Sequence, residues 1–259
     1  MLNRIAAQKK EEISRDKLQL PLREMIKQIV PGTMSFSQAL TSNTWSLIAE
    51  CKLASPVKGR LSERTVGELA RIYDTQGATA LSVLTDSHFC GTGQHIGEAK
   101  QVSSLPVLRK DFIVDEYQLY QARVLGADAV LLIAAILTDD QLHRYLATAR
   151  QIGLDCLVEV HSREELERVQ QTPAVIIGIN NRNLTTFTTN VENTFDLLPY
   201  CAADRLFISE SGIHSRKTAV DLQNAGIRGV LVGEGLVTAQ DIAEKVRELS
   251  LQGGSKNAK

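Results

Sequence analysis

The chain alternates eight times between a short apolar run and a longer segment of helical period. Runs rich in β-branched and aliphatic residues fall at 46–51, 79–84, 106–112, 128–134, 154–160, 174–180, 204–209 and 228–232. Between them stand segments such as "TVGELARIYDTQG" (65–77), "DEYQLYQARVLG" (115–126) and "SRKTAVDLQNAG" (215–226), and "TAQDIAEKVRELSLQ" follows the last run. A strand that is apolar throughout needs cover on both faces, which implies a parallel sheet with helices outside it. Gly77, Gly126, Gly153 and Gly226 stand where left-handed helix C-caps belong. Eight such units in about 215 residues predict a closed (β/α)8 TIM barrel, an α/β fold. An open doubly wound sheet is the alternative. It usually carries a glycine-rich turn after its first strand, whereas "CKLASPVKG" has no G-x-G-x-x-G.

Residues 1–44 are charged, helical in pattern and broken at Pro31-Gly32, an N-terminal helical extension to a barrel over 45–250. Residues 251–259 read as a flexible tail, with "GGSKNAK" disordered. With 43% hydrophobic and 23% charged residues in 259, fibrous and disordered classes are excluded and no linker divides the chain. The net charge of -1 gives no field for nucleic acid or an anionic membrane, though a small anion could bind locally. The longest apolar run, "AVLLIAAIL" (129–137), is too short to span a bilayer, and the N-terminus has no signal-peptide core. Cys51, Cys90, Cys156 and Cys201 have no CxxC spacing and read as thiols of a reducing compartment, the cytoplasm.

Barrel chemistry takes place at the C-terminal ends of the strands. There the first strand offers Glu50 and Lys52 on one face, the third Lys110, the fifth Glu159, and the sixth Asn180 and Arg182. The seventh offers Glu210, Ser211 and Gly212, and the eighth Gly233, Glu234 and Gly235. A lone charge at a strand end is usually just solvated, but six strands carry polar groups to one rim. In "LPVLRKDFIVD" (105–115), Leu108, Lys110 and Phe112 share the inner face, while Arg109 and Asp111 have the opposite parity and pair outside the barrel. Gly212 and Gly233 suit backbone N–H groups that approach a phosphate, with Lys52 as counter-charge. The five histidines show no metal-ligand spacing; His161, two beyond Glu159, reads as a loop or cap residue with a position facing the site as the alternative, and Lys58 and Arg60 as solvated, with cover for a bound anion as theirs.

Lysines and carboxylates that converge without a metal or dinucleotide motif suit proton transfer on an organic phosphate. They suit equally a Schiff-base aldolase with Lys110 as nucleophile, or a sugar-phosphate isomerase. A silent barrel that only binds an anionic metabolite is the reading outside enzymes, and the full acid/base set weighs against it.

"IAECKLASPVKG", "LPVLRKDFIVDEYQLYQARVLGADAVLLI", "LVEVHSREEL", "IIGINNRNL", "ISESGI" and "GVLVGEGLV" resemble, in order, the strand-end motifs of indole-3-glycerol-phosphate synthase. The likeness covers about residues 45–240, and the N-terminal extension is similar too. It implies a carboxy-lyase of tryptophan biosynthesis that works without a cofactor or metal. The implied reaction closes the indole ring of 1-(2-carboxyphenylamino)-1-deoxyribulose 5-phosphate and releases carbon dioxide and water. By the same resemblance Lys110 is the general acid for ring closure and Glu159 the general base for dehydration. Glu50, Lys52, Asn180, Arg182, Glu210 and Ser211 position the substrate and the lysine. Ser55, Gly212, Gly233 and Glu234 match phosphate-region positions. Pro56, Phe89, Phe112 and Leu131 line the aromatic pocket, with Leu231 among the substrate-binding positions. Partners implied are the phosphorylated small molecule and, transiently, other tryptophan-pathway enzymes. The chain departs from the family pattern at Val57, at Glu234 and in "SHFCGTGQ" after the second strand.

Overall fold

The computed structural model describes residues 2–183 and 188–252. The expected "GGSKNAK" tail lies outside them. Eight parallel strands close into a barrel: β1 (Ser46–Cys51), β2 (Ala80–Leu84), β3 (Val107–Lys110), β4 (Ala129–Ile133), β5 (Asp155–Val160), β6 (Ile176–Asn180), β7 (Leu206–Glu210) and β8 (Gly229–Val232). Each pairs with the next, and β8 returns to β1 with Ser46 opposite Gly229 and Ala49 opposite Val232. The predicted (β/α)8 barrel therefore forms, and strand bounds move by at most two residues from the periodic reading. No helix of the described residues is long and apolar enough to cross a membrane.

Three helices precede the barrel: α1 (Leu2–Gln19), α2 (Leu22–Ile26) and α3 (Ser35–Ser42). Nine more follow: α4 (Val66–Thr75), α5 (Gln94–Val102), α6 (Tyr117–Val124), α7 (Asp139–Gln151), α8 (Arg163–Gln170), α9 (Glu192–Leu197), α10 (Arg216–Asn224), α11 (Glu234–Val237) and α12 (Ile242–Leu249). Several begin where a side chain accepts from the amide three residues on, one of the free amides of the first turn: Thr65 at α4, Thr138 at α7, Ser162 at α8, Ser215 at α10 and Asp241 at α12. The four glycines read as caps have positive φ, from 67° at Gly153 to 99° at Gly226.

Strand parity makes two concentric cores. The odd members of β1, Leu47, Ala49 and Cys51, join Leu69 and Tyr73 of α4 in the layer between strands and helices. The even member Ile48 joins Leu108, Leu131, Leu157, Ile208 and Leu231 inside the barrel. Helix α3 closes the N-terminal mouth by pressing Phe36 and Leu40 into this inner core. The inward Asp155 accepts from the Ser37 N–H at 2.8 Å and so holds the first turn of that plug.

Strand β3 stops at Lys110, short of the expected 112, because side chains take over from the ladder. The Phe112 N–H donates to the Asp111 carboxylate at 2.8 Å, while Gln118 accepts from the Val114 N–H at 2.8 Å and donates to the Phe112 carbonyl at 2.9 Å. Arg109 and Asp111 do pair outside the barrel, at 2.9 Å, but they are buried. The second cation of this knot comes from the extension. Lys9 of α1 reaches Asp86, after β2, at 2.7 Å and Asp111 at 3.1 Å. Two cations thus balance two buried carboxylates. Burial would raise the Asp111 pKa, but Arg109 and Lys9 outweigh it and hold the carboxyl below its ordinary value.

Removing one partner of a buried ion pair strands the other. Lys9→Met should therefore lower stability by about 3–5 kcal/mol at neutral pH, read as a fall in urea midpoint at unchanged m. The Asp111 contribution is complete above the ordinary aspartate pKa of 3.8 and is lost as pH falls through the lower folded value. Wild type and variant should accordingly converge in acid. A neutral-pH difference under about 1 kcal/mol would show that the knot does not hold α1 to the barrel.

Candidate active site

The inward parity of β3 carries Lys110 over the inner core, where its ammonium lies 3.4 Å from Glu159 of β5 and 3.3 Å from Glu210 of β7. Both carboxylates are buried, as is Glu50 at the end of β1. Lys52, one turn of the pleat further on, stands 3.9 Å from Glu50. The site thus gathers three carboxylates around one enclosed ammonium, with a second at its edge.

These charges move one another's proton affinities in different directions. Burial works against charged Lys110, but Glu210, Glu159 and Glu50 outweigh it and hold the lysine above its ordinary value. Burial also pushes Glu159 up, yet Lys110 and His161 outweigh that and hold it well below the usual carboxylate range. For Glu210 burial prevails, helped by its carboxylate neighbours, so its pKa lies above the usual range in spite of Lys110. Two carboxylates on one ammonium are driven apart, one firmly ionised and one ready to hold a proton.

Glycines make room for this cluster. A β-carbon at Gly178 of β6 would sit 2.0 Å from Glu210 Oε1, and one at Gly233 would sit 2.2 Å from Glu50 Oε1. Behind β6 and β7, Asn181 donates to Ser209 at 2.9 Å and accepts from Thr194 at 2.8 Å, a buried network that fixes the two strand ends. Asn180 faces inward and accepts from the Arg182 N–H at 2.9 Å. Ser211 and Gly212 turn the chain after β7 with φ of 67° and 79°.

The residues that the sequence assigned to catalysis and substrate binding line one cavity of about 440 Å³: the charged cluster, Asn180, Arg182, Ser55, Pro56, the Ser211-Gly212 turn, and Gly233-Glu234 at the head of α11. Phe89, Phe112, Leu131 and Leu231 form its apolar wall. Lys52 lies 5.7 Å from the centre of the Phe89 ring. Glu234 turns its carboxylate to Lys58, so that side chain is engaged rather than simply solvated. Arg60 pairs with exposed Glu63, at 3.4 Å.

Two residues differ from the sequence reading in an informative way. Ile5 of α1 reaches the cavity from the extension, and nothing in the sequence spacing signals it. His161 does sit in the link before α8, but its ring is wedged between carboxylates, with Nε2 3.2 Å from Glu159 and Nδ1 3.3 Å from Glu165. Its position two residues beyond Glu159 carries that alternative, and the ring does meet Glu159.

The family model described as Indole-3-glycerol phosphate synthase matches residues 2–249. A protein of that name from Desulforamulus reducens is 49% identical over 98% of this chain and 98% of its own length. One from Alkaliphilus metalliredigens is 43% identical over 96% and 97%. Among solved structures, 3-hexulose-6-phosphate synthase from Salmonella typhimurium superposes with a TM-score of 0.63 at 15% identity, covering 80% of this chain and 97% of that one. That likeness bears on the fold alone.

Gly178→Ala tests the packing of the cluster. The added methyl must displace the Glu210 carboxylate, and overpacking of this kind costs about 1–3 kcal/mol. The variant should melt lower, and Glu210 should leave Lys110 in its structure. An unchanged melting temperature with Glu210 in place would show that the strand has slack there.

Proposed function

Because the chain belongs to the indole-3-glycerol phosphate synthase family, carboxy-lyases of tryptophan biosynthesis, we propose that its cavity performs that ring closure with Lys110 as acid and Glu159 as base. The observation that carries the reading is the Lys110 ammonium held between Glu159 and Glu210. When the aryl carbon attacks the ribulose carbonyl, negative charge grows on that oxygen. A strongly held ammonium delivers its proton only then. The same elevation disfavours the Schiff-base alternative, which needs a neutral amine. Carbon dioxide leaves and the ring regains aromaticity. Dehydration then removes a ring proton next to the departing hydroxyl, and an ionised Glu159 suits that task.

Glu50, Asn180, Glu210 and Ser211 hold the acid, the base and the sugar hydroxyls in register. Phe89, Phe112, Leu131, Leu231 and Pro56 take the aromatic ring, and Arg182 offers its carboxylate a cation. The phosphate sits toward Gly212 and Gly233, with Ser55 nearby and Lys52 as counter-charge. Glu234 opposes this by charge, but Lys58 takes up its carboxylate and leaves its N–H to the phosphate. The substrate is a phosphorylated small molecule. The four unpaired cysteines fit a reducing cytoplasm, where transient contact with neighbouring pathway enzymes would shorten the substrate's path.

Incubation with the anthranilate ribulose phosphate should produce indole fluorescence. Lys110→Ala should lower turnover by about 10²-fold or more, and Glu159→Gln by about 10²–10⁴-fold, each with modest change in substrate affinity. Near-normal turnover in Lys110→Ala would remove it from the mechanism, and borohydride trapping of Lys110 with substrate would favour the Schiff base instead. If Glu159→Gln stays active while Glu50→Gln does not, the base belongs to β1.

A further inference from the structure

The proposed reaction has a proton balance that the acid and base alone do not close. The substrate enters as a carboxylate and leaves as carbon dioxide, water and a neutral indole, so each turnover consumes one proton from solvent. Lys110 gives one proton to the carbonyl oxygen and must give a second when the hydroxyl leaves as water. Glu159 recovers only one, from the ring carbon. With substrate filling the cavity, the direct route for a solvent proton to Glu159 and Lys110 is from behind the site.

A line of ionisable groups stands there. Glu165 Oε2 lies 3.3 Å from His161 Nδ1, His161 Nε2 lies 3.2 Å from Glu159 Oε1, and Glu159 Oε2 lies 3.4 Å from Lys110 Nζ. Side-chain exposure falls along it, from 20% at Glu165 to 12% at His161 and 5% at Glu159. The line therefore runs from solvent to the base without passing through the cavity. The charged groups facing the imidazole are Glu159 from β5 and Glu165 from α8, with Lys110 of β3 and Glu210 of β7 beyond Glu159. From α9, the neutral Asn193 amide donates to the His161 and Asn180 carbonyls at 3.4 and 3.1 Å, pinning the backbone on either side.

We infer that His161 is a relay that carries this solvent proton from Glu165 to Glu159 and so recharges Lys110 between its two donations. The inference rests on the reading of Glu159 as base. At rest Nε2 is close to Glu159 but makes no aligned hydrogen bond, so after ring closure the imidazolium turns toward Glu159 and gives it the Nε2 proton. The carboxyl flips and passes the proton to the neutral Lys110 amine; the neutral imidazole then turns over, brings its bare nitrogen to Glu165, and is reprotonated there from solvent. Lys110 then protonates the departing hydroxyl while Glu159 takes the ring proton. Return of that proton to Lys110 restores the starting state with one solvent proton used. Burial works against a charged imidazole, but the two carboxylates outweigh it and push His161 up to about 10, so the relay is loaded at neutral pH.

His161→Gln keeps the hydrogen-bonding reach but carries no transferable proton. Its single-turnover rate should fall about 10-fold or more with KM changed less than about twofold, and the solvent deuterium effect should rise. Free imidazole should restore much of the rate, which a merely structural role would not allow. Glu165→Gln, which leaves the ring in place, should show a smaller loss of the same kind. A rate within about twofold of wild type overturns the relay. So does a loss in both variants that imidazole leaves untouched and that keeps the wild-type pH profile and isotope effect. Glu159→Gln run alongside separates the two readings: if it retains turnover, the base assignment itself falls, and if it alone is inactive, only the relay does.

Discussion

A buried ammonium among carboxylates is the constraint to which the rest of the rim answers. An unpaired Lys110 at that depth would simply lose its proton. Glu159 and Glu210 keep it charged, and the two are driven apart beside one cation, Glu159 toward the ionised form and Glu210 toward the protonated one; a further positive group favours ionised Glu159. His161 supplies that charge on the far side of Glu159. Gly178 and Gly233 follow from the same demand, because carboxylates packed this densely leave no space for a β-carbon on the neighbouring strand. The cavity's polarity is therefore one cooperative arrangement rather than a set of separate residues.

The end of β3 is clamped on both faces. Inside stands Lys110, and outside Arg109 and Asp111 are tied to Lys9 of the extension. Consecutive residues of opposite parity thus belong to two charge clusters, one chemical and one structural. Backbone play that would misplace the lysine has to break a buried ion pair first. A site held this closely by rigid elements is what positional catalysis requires.

Much of this was legible in the sequence because a period of two is a strong signal. Inner parity picked out Glu50, Lys110, Glu159 and Asn180, and strand order brought them together once the barrel closed. What was not legible depends on distance and on side-chain reach. Ile5 and Lys9 meet the barrel across long stretches of sequence, and no local pattern records where α1 will lie. Lys58 and Glu234 find each other only through closure of β8 onto β1. His161 follows the base at a spacing that does carry information, but it sits where a helix cap was also plausible, and the backbone N–H does bond the Glu165 carboxylate at 2.8 Å. Both descriptions of that histidine hold at once.

The knot around Lys9 also sets an order of events during synthesis. Helix α1 leaves the ribosome before the barrel, yet the two buried carboxylates that its lysine reaches emerge later, at the ends of β2 and β3. Strand β1 likewise waits for β8 before its second edge is covered. Helix α1 thus finds its seat only after β2 and β3 have been made, and until then it must remain acceptable to water. Its many charges between Lys9 and Lys17 serve that interval as much as the finished protein.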